Sequence, residues 1–97
     1  MSEMKDRLIF TLFTPHRTLE PVECDSVRLC IADSVSGKFS GSYGIRKGHA
    51  KAVFALAGGR ISVSLDGKEI YSVECEGGFA TVENNEVRVI ADGVREN

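Results

Sequence analysis

Apolar and polar residues alternate in short runs along most of the chain, with a period of two rather than 3.6. Leu8, Phe10 and Leu12 share one parity, with Ile9, Thr11 and Phe13 on the other. This predicts a first strand with apolar surroundings on both sides, ended by Pro15. Val27, Leu29 and Ile31 then alternate with Arg28 and Cys30. Ile61, Val63 and Leu65 alternate with Ser62 and Ser64, and Asp66-Gly67 follows directly. That pair predicts a tight hairpin turn, because both central residues must take positive φ. The return strand covers 69–75, with Ile70, Ser72 and Glu74 against Tyr71, Val73 and Cys75. Gly77-Gly78 precedes a strand at 79–82 and predicts a bulge or a close backbone approach. Asn84-Asn85 is a second hairpin signal, after which Val87 and Val89 alternate with Arg88 and Ile90.

No apolar period of 3.6 is sustained over a helical length. The best helical candidate, residues 50–57, is too short and too β-branched. Val, Ile and Thr supply 20 residues and Gly another 10, which suits many short strands separated by turns. The spacing predicts an all-β fold: an antiparallel sandwich or barrel, read here as a β-sandwich of about eight to ten short strands in two sheets. Residues 32–44 hold four Ser and three Gly with little alternation, and are expected as an exposed loop. The polar 94–97 segment is expected to fray. No linker or internal repeat divides residues 1–97, which are read as one domain.

Composition narrows the function classes. The 97 residues are 42% hydrophobic and 27% charged, with net charge -2, which is globular and poorly suited to neutralising nucleic-acid phosphates. The longest apolar run, residues 52–57, is six residues, against about 20 for a membrane-spanning helix. The first 13 residues carry Glu3 and Asp6 and lack the marks of a secretory signal. Together with three cysteines, Cys24, Cys30 and Cys75, and no CxxC pair, this points to the cytoplasm.

Candidate chemistry is sparse. The possible metal ligands are the three cysteines, His16 and His49. Cys24 and Cys30 on one extended strand would stand about 20 Å apart, so a shared metal requires a sharp bend near Asp25. No GxSxG elbow is present. Gly37, Gly41 and Gly44 lack the Gly-Lys-Ser/Thr of a phosphate loop. Glu74 and Glu76 share strand parity, as on a solvated face. No catalytic residue, metal ligand set or cofactor is assigned.

A set of ordered motifs says more. Residues 8–15 followed by His16-Arg17-Thr18-Leu19, then Asp25-Ser26-Val27, open the series. Gly41-Ser42-Tyr43-Gly44-Ile45 with Gly48-His49-Ala50 is similar to a G-x-x-G-(I/V)-x-P-G-H-A signature. Ala55-Leu56 with Gly59 and Ile61, Gly77-Gly78-Phe79 with Val82, and Val87-Arg88-Val89-Ile90-Ala91-Asp92 complete it. In this order and spacing, across residues 8–93, the chain resembles the N-terminal β-sandwich domain of the epsilon subunit of F-type ATP synthases.

The resemblance implies a non-catalytic rotor part at the foot of the central stalk. It would link the gamma subunit to the membrane c-ring in proton- or sodium-coupled ATP synthesis. It implies no cofactor, no nucleic acid and no direct membrane insertion. The expected place is the cytoplasmic face of the bacterial plasma membrane, peripheral and within a complex. Ser42, Tyr43 and Arg46 would face the c-ring, and Thr14, His49 and Phe54 the gamma subunit. The plain alternative for His49 is a histidine satisfied by turn backbone. An alternative for the whole chain is a free-standing β-sandwich adaptor or ligand-binding module.

The chain departs from the family pattern at several points. Lys47 and Lys51 stand where prolines flank Gly-His-Ala, Ser42 replaces a usual acid, and the loop at 32–40 is longer. Family members often continue into a C-terminal pair of inhibitory helices. The sequence ends soon after Ala91-Asp92-Gly93, so the expectation is a subunit without that tail.

Overall fold

A computed structural model describes residues 7–33 and 35–96. All regular structure among them is β. The strands are β1 (Leu8–Phe13), β2 (Val22–Cys24), β3 (Ser26–Ala32), β4 (Phe39–Arg46), β5 (Ala52–Leu56), β6 (Gly59–Leu65), β7 (Lys68–Cys75), β8 (Gly78–Glu83), β9 (Glu86–Ala91) and β10 (Val94–Glu96).

Both predicted hairpin turns form, for the expected reason. Asp66 and Gly67 have φ of 54° and 80°, and Asn84 and Asn85 have 52° and 61°. Two successive positive-φ residues give the twist that keeps flanking strands paired, so β6 runs into β7 and β8 into β9. Gly78 is the expected close approach. Its φ is +142°, and a Cβ there would collide with the Ile90 carbonyl.

The strands form one hydrogen-bonded sheet in the order β10-β7-β6-β3-β5-β8-β9-β1-β2, with β4 attached to β3. This sheet folds over on itself at β3. The start of β3 pairs with β6, while its end meets β5 at a single pair, Ile31 with Leu56. At the far side the chain bends at Asp25 between β2 and β3, and the Asp25 N–H donates to the Ser64 carbonyl at 2.8 Å. The alternating apolar residues then face one another across a single core: Leu8, Phe10, Leu12, Val27, Leu29, Ile61, Val63, Val73, Ala80, Val82, Val87 and Val89. Full burial of the Val, Leu, Ile and Phe side chains among them stabilises by about 1.5–3 kcal/mol each.

Three expectations need correction. The pairing is not wholly antiparallel: β1 and β9 run parallel over five residue pairs. These strands are distant in sequence, so no tight turn dictates their relative direction. The 32–44 segment is not a loop throughout. Phe39 begins an eight-residue strand that pairs with β3 from Ser26 to Ala32. Only Ile45 of β4 is buried, so the strand depends on backbone pairing and carries no alternation to read. Lastly, Val94–Glu96 does not fray but pairs with Val73–Cys75 of β7. Asn97 lies outside the described residues.

Candidate functional site

The predicted partner-facing residues lie mainly around β4 and the turn into β5. Gly48, at φ +85°, lets that turn close. The Gly48 N–H donates to Asn85 Oδ1 at 2.8 Å, which fastens the turn to the β8–β9 hairpin. Beside it stand three aromatic rings. Tyr43 and Phe54 have centroids 5.1 Å apart, and the His49 ring is edge-on to both, at 5.6 and 6.2 Å. The Phe54 side chain packs against the core. Tyr43 is paired with buried Leu29 and shares its inward parity. The trio therefore covers the core where β3 passes from β6 to β5.

The hydrogen bonds of His49 determine its tautomer. Nδ1 lies 2.7 Å from the Ala50 carbonyl oxygen, which can only accept, so Nδ1 carries the proton. In the neutral ring Nε2 is then an acceptor, and Tyr43 Oη, 2.9 Å away, donates to it. The plain reading of His49, a histidine engaged by turn backbone, thus describes one of its two bonds.

The six predicted residues do not sort into the two expected groups. Tyr43 joins His49 and Phe54, which were assigned to the other partner. Ser42 and Arg46 have the opposite parity on β4 and pair with Cys30 and Ser26. They lie on the outward face, where Arg28 Nη1 donates to Ser42 Oγ at 3.4 Å. Thr14 sits apart from both groups. Its hydroxyl donates to the Arg17 carbonyl at 2.8 Å and accepts the Arg17 N–H at 3.0 Å. It organises the turn after β1, beside a shallow crevice shared with Gly93, Val94 and Arg95.

The sequence reading missed an exposed apolar row. Registers on β5, β8, β9 and β1 align Ala55, Phe79, Ile90 and Phe13 in one row. This row faces away from the core. Phe79 and Ile90 remain 58% and 55% exposed, and nearby Val53 is 69% exposed. The corresponding row on the other half of the sheet is Ser72, Ser62, Arg28 and Gly44. The first row is apolar and the second polar, while the neighbouring row on the Phe79 side (Val53, Thr81, Arg88 and Thr11) is already mostly polar. The available signal was Phe79 and Ile90, apolar residues at the parity opposite Ala80 and Val89.

Nothing in the described residues resembles a reaction centre. The chain does bend at Asp25, but Cys24 turns into the core, with its thiol 3.8 Å from the Leu8 carbonyl. Cys30 instead bonds the Arg60 carbonyl at 3.5 Å. Burial, and secondarily the Asp25 carboxylate, push the Cys24 thiol up to about 11. Burial likewise raises Cys75. Both thiols are thereby held in the protonated, non-nucleophilic form.

Comparison with known proteins supplies the family. Residues 8–97 match the model of the ATP synthase delta/epsilon chain beta-sandwich domain. The ATP synthase epsilon chain of Synechococcus sp. (strain JA-2-3B'a(2-13)) is 36% identical over 85 residues, covering 88% of this chain and 56% of that protein. The epsilon chain of Chlorobium limicola is 34% identical over 83 residues, 86% of each chain. A chain in the cryo-EM structure of the Euglena gracilis mitochondrial ATP synthase shares the fold, with a TM-score of 0.77 at 22% identity. It covers 98% of this chain and 56% of its own. The ordered motifs, the curled all-β sheet and the family match thus agree, and the chain belongs to the ATP synthase delta/epsilon chain beta-sandwich domain family.

Proposed function

We propose that this domain is a non-catalytic part of the central stalk of an F-type ATP synthase, joining the gamma subunit to the c-ring. The observation that carries the reading is the family match across residues 8–97. The curated relatives named above are both ATP synthase epsilon chains, which disfavours a free-standing adaptor. The two parts of the sheet that meet at Ile31 and Leu56 are read as the two leaves of the family's sandwich.

The surface chemistry supports a role between two partners. The apolar row of Phe13, Ile90, Phe79 and Ala55 is suited to lasting burial against the gamma subunit. The polar end around Ser42 and Arg46 is suited to the polar loops of the ring. Tyr43, His49 and Phe54 form one unit and would meet a partner together, on the gamma side. Thr14 would present the turn after β1 to the same subunit. The domain would be peripheral to the membrane, on its cytoplasmic face.

The test is co-purification from native membranes with this chain as bait, scored for gamma and ring subunits. The paired variant Phe79→Glu/Ile90→Lys, whose opposite charges face one another across β8 and β9, should lose gamma. Both positions are exposed, so its fold and unfolding midpoint should change little. Recovery of neither partner with the unaltered chain would overturn the reading.

A further inference from the structure

The strand β4 has an unusual edge. On one side it pairs with β3 along its length, and no other strand pairs with it among the described residues. At eight residues it is as long as any strand here. Natural proteins usually protect such an edge with proline, lysine or a charged inward residue, since its free N–H and C=O groups can template another strand. The first seven residues of β4 (Phe39, Ser40, Gly41, Ser42, Tyr43, Gly44, Ile45) contain no charge and no proline.

Charge is segregated around the same strand. Residues 38–51 contain Lys38, Arg46, Lys47 and Lys51 and no acid, in a chain whose net charge is -2. Lys38 precedes the strand and the other three follow its neutral stretch. Arg28 adds a guanidinium that reaches Ser42 from β3. Lys51 shares its charge with Glu83 at 3.8 Å. Arg46 and Lys47 are exposed. The cations at the two ends are separated by a neutral stretch about 23 Å long, at roughly 3.3 Å per residue.

We propose that the free edge of β4 accepts an extended, acidic segment of a partner protein, which adds as a further strand with its carboxylates at the Lys38 and Arg46 ends. Backbone pairing along the neutral stretch provides the contact, and the terminal cations select the sign of charge. A protein segment fits better than an anionic lipid surface, because a lipid headgroup has no use for a row of aligned backbone donors and acceptors. The proposal rests on the preceding reading only in taking this end as protein-facing.

The test uses the whole chain, labelled for amide NMR. It is titrated with a synthetic octapeptide of alternating Val and Thr flanked by paired Asp and Glu. Controls are the same peptide with Gln or Lys for the acids, a backbone N-methylated acidic peptide, and vesicles containing phosphatidylglycerol. The acidic peptide should shift the β4 amides and slow their hydrogen exchange. The N-methylated peptide should not, which tests strand addition without altering the protein. The variant Arg46→Glu/Lys47→Glu should weaken binding by about tenfold at low salt, with the difference shrinking as salt rises. Unchanged β4 amides, equal binding of the Gln peptide, or binding to vesicles alone would overturn the proposal. So would slowed exchange that depends on protein concentration without peptide, since the occupant would then be a second copy. The titration needs neither gamma nor ring, so its result is independent of the co-purification.

Discussion

Tyr43 Oη donates to His49 Nε2 across 2.9 Å, joining an edge strand to the turn that follows it. The bond requires the neutral imidazole with its proton on Nδ1, where the Ala50 carbonyl lies 2.7 Å away. Tyr43→Phe should keep the ring contact with Phe54 and lose about 0.5–1.5 kcal/mol of stability. His49→Ala removes both hydrogen bonds and the edge-on ring packing, and should cost more. Nitrogen chemical shifts of His49 provide the direct check: a proton on Nε2 in the neutral form would contradict this arrangement.

Asp25 should be a stability residue rather than a functional one. Its Oδ2 accepts the Asp66 N–H at 2.6 Å and its Oδ1 accepts from Arg7 at 2.9 Å. One carboxylate thereby ties Arg7, just ahead of β1, to the β2–β3 bend and the β6–β7 turn. Asp25→Ala should cost about 1–2 kcal/mol, because charge-assisted bonds to backbone are among the stronger ones. Arg7→Ala should cost less, since this ion pair is half-exposed. Urea unfolding of the two variants tests the ranking, and equal losses would show that the pair, not the turn, is what matters.

Two glycines should respond oppositely to alanine. At Gly78 a methyl group would collide with the Ile90 carbonyl in a backbone at φ +142°. Gly78→Ala should lose about 3 kcal/mol or more, or fail to fold. At Gly41 the site is open and no positive φ is needed, so Gly41→Ala should be neutral or slightly stabilising. Thermal unfolding distinguishes the two, and a mild Gly78→Ala would mean that β8 and β9 can separate without cost.

The buried Cys24 thiol predicts an alkaline loss of stability. Its ordinary value is 9.0, and in the fold it reaches about 11. Across that window the folded chain holds a proton that the unfolded chain releases. Stability is therefore full below about pH 9 and falls as pH rises towards 11. One unit corresponds to about 1.4 kcal/mol, which puts the whole effect at roughly 2–3 kcal/mol. Cys24→Ala should be less stable at neutral pH through its small cavity, by about 1 kcal/mol. Its deficit should shrink as pH rises above 9 and reverse sign before about pH 11, and a constant difference would refute the assignment.

Much of the fold was readable because one physical constraint produces it. Where one face of a strand is buried, the side-chain period of two is imposed on the sequence. Hence the alternation of Ile61 and Val63 with serines, and of Val87 and Val89 with Arg88, matches burial, whereas β1, apolar on both parities, left the inward set of Leu8, Phe10 and Leu12 to the structure. The paired positive-φ residues at 66–67 and 84–85 were readable for an equally local reason. β4 was not readable as a strand, since both its faces are largely exposed and only backbone pairing with β3 defines it. Nor was the union of Tyr43 with Phe54, which depends on how β3 leaves β6 for β5.

The sequence by itself determined the strand class, the turns, much of the apolar alternation and, through its ordered motifs, the family. These are local features, set by φ preferences and by which side chains water excludes. The tertiary structure alone decided that β1 and β9 run parallel, and that Ala55, Phe79, Ile90 and Phe13 align into one apolar row. It also left β4, among the described residues, as an open edge between cations. Register and strand order arise from pairing between residues far apart in the chain, and no local pattern carries that information.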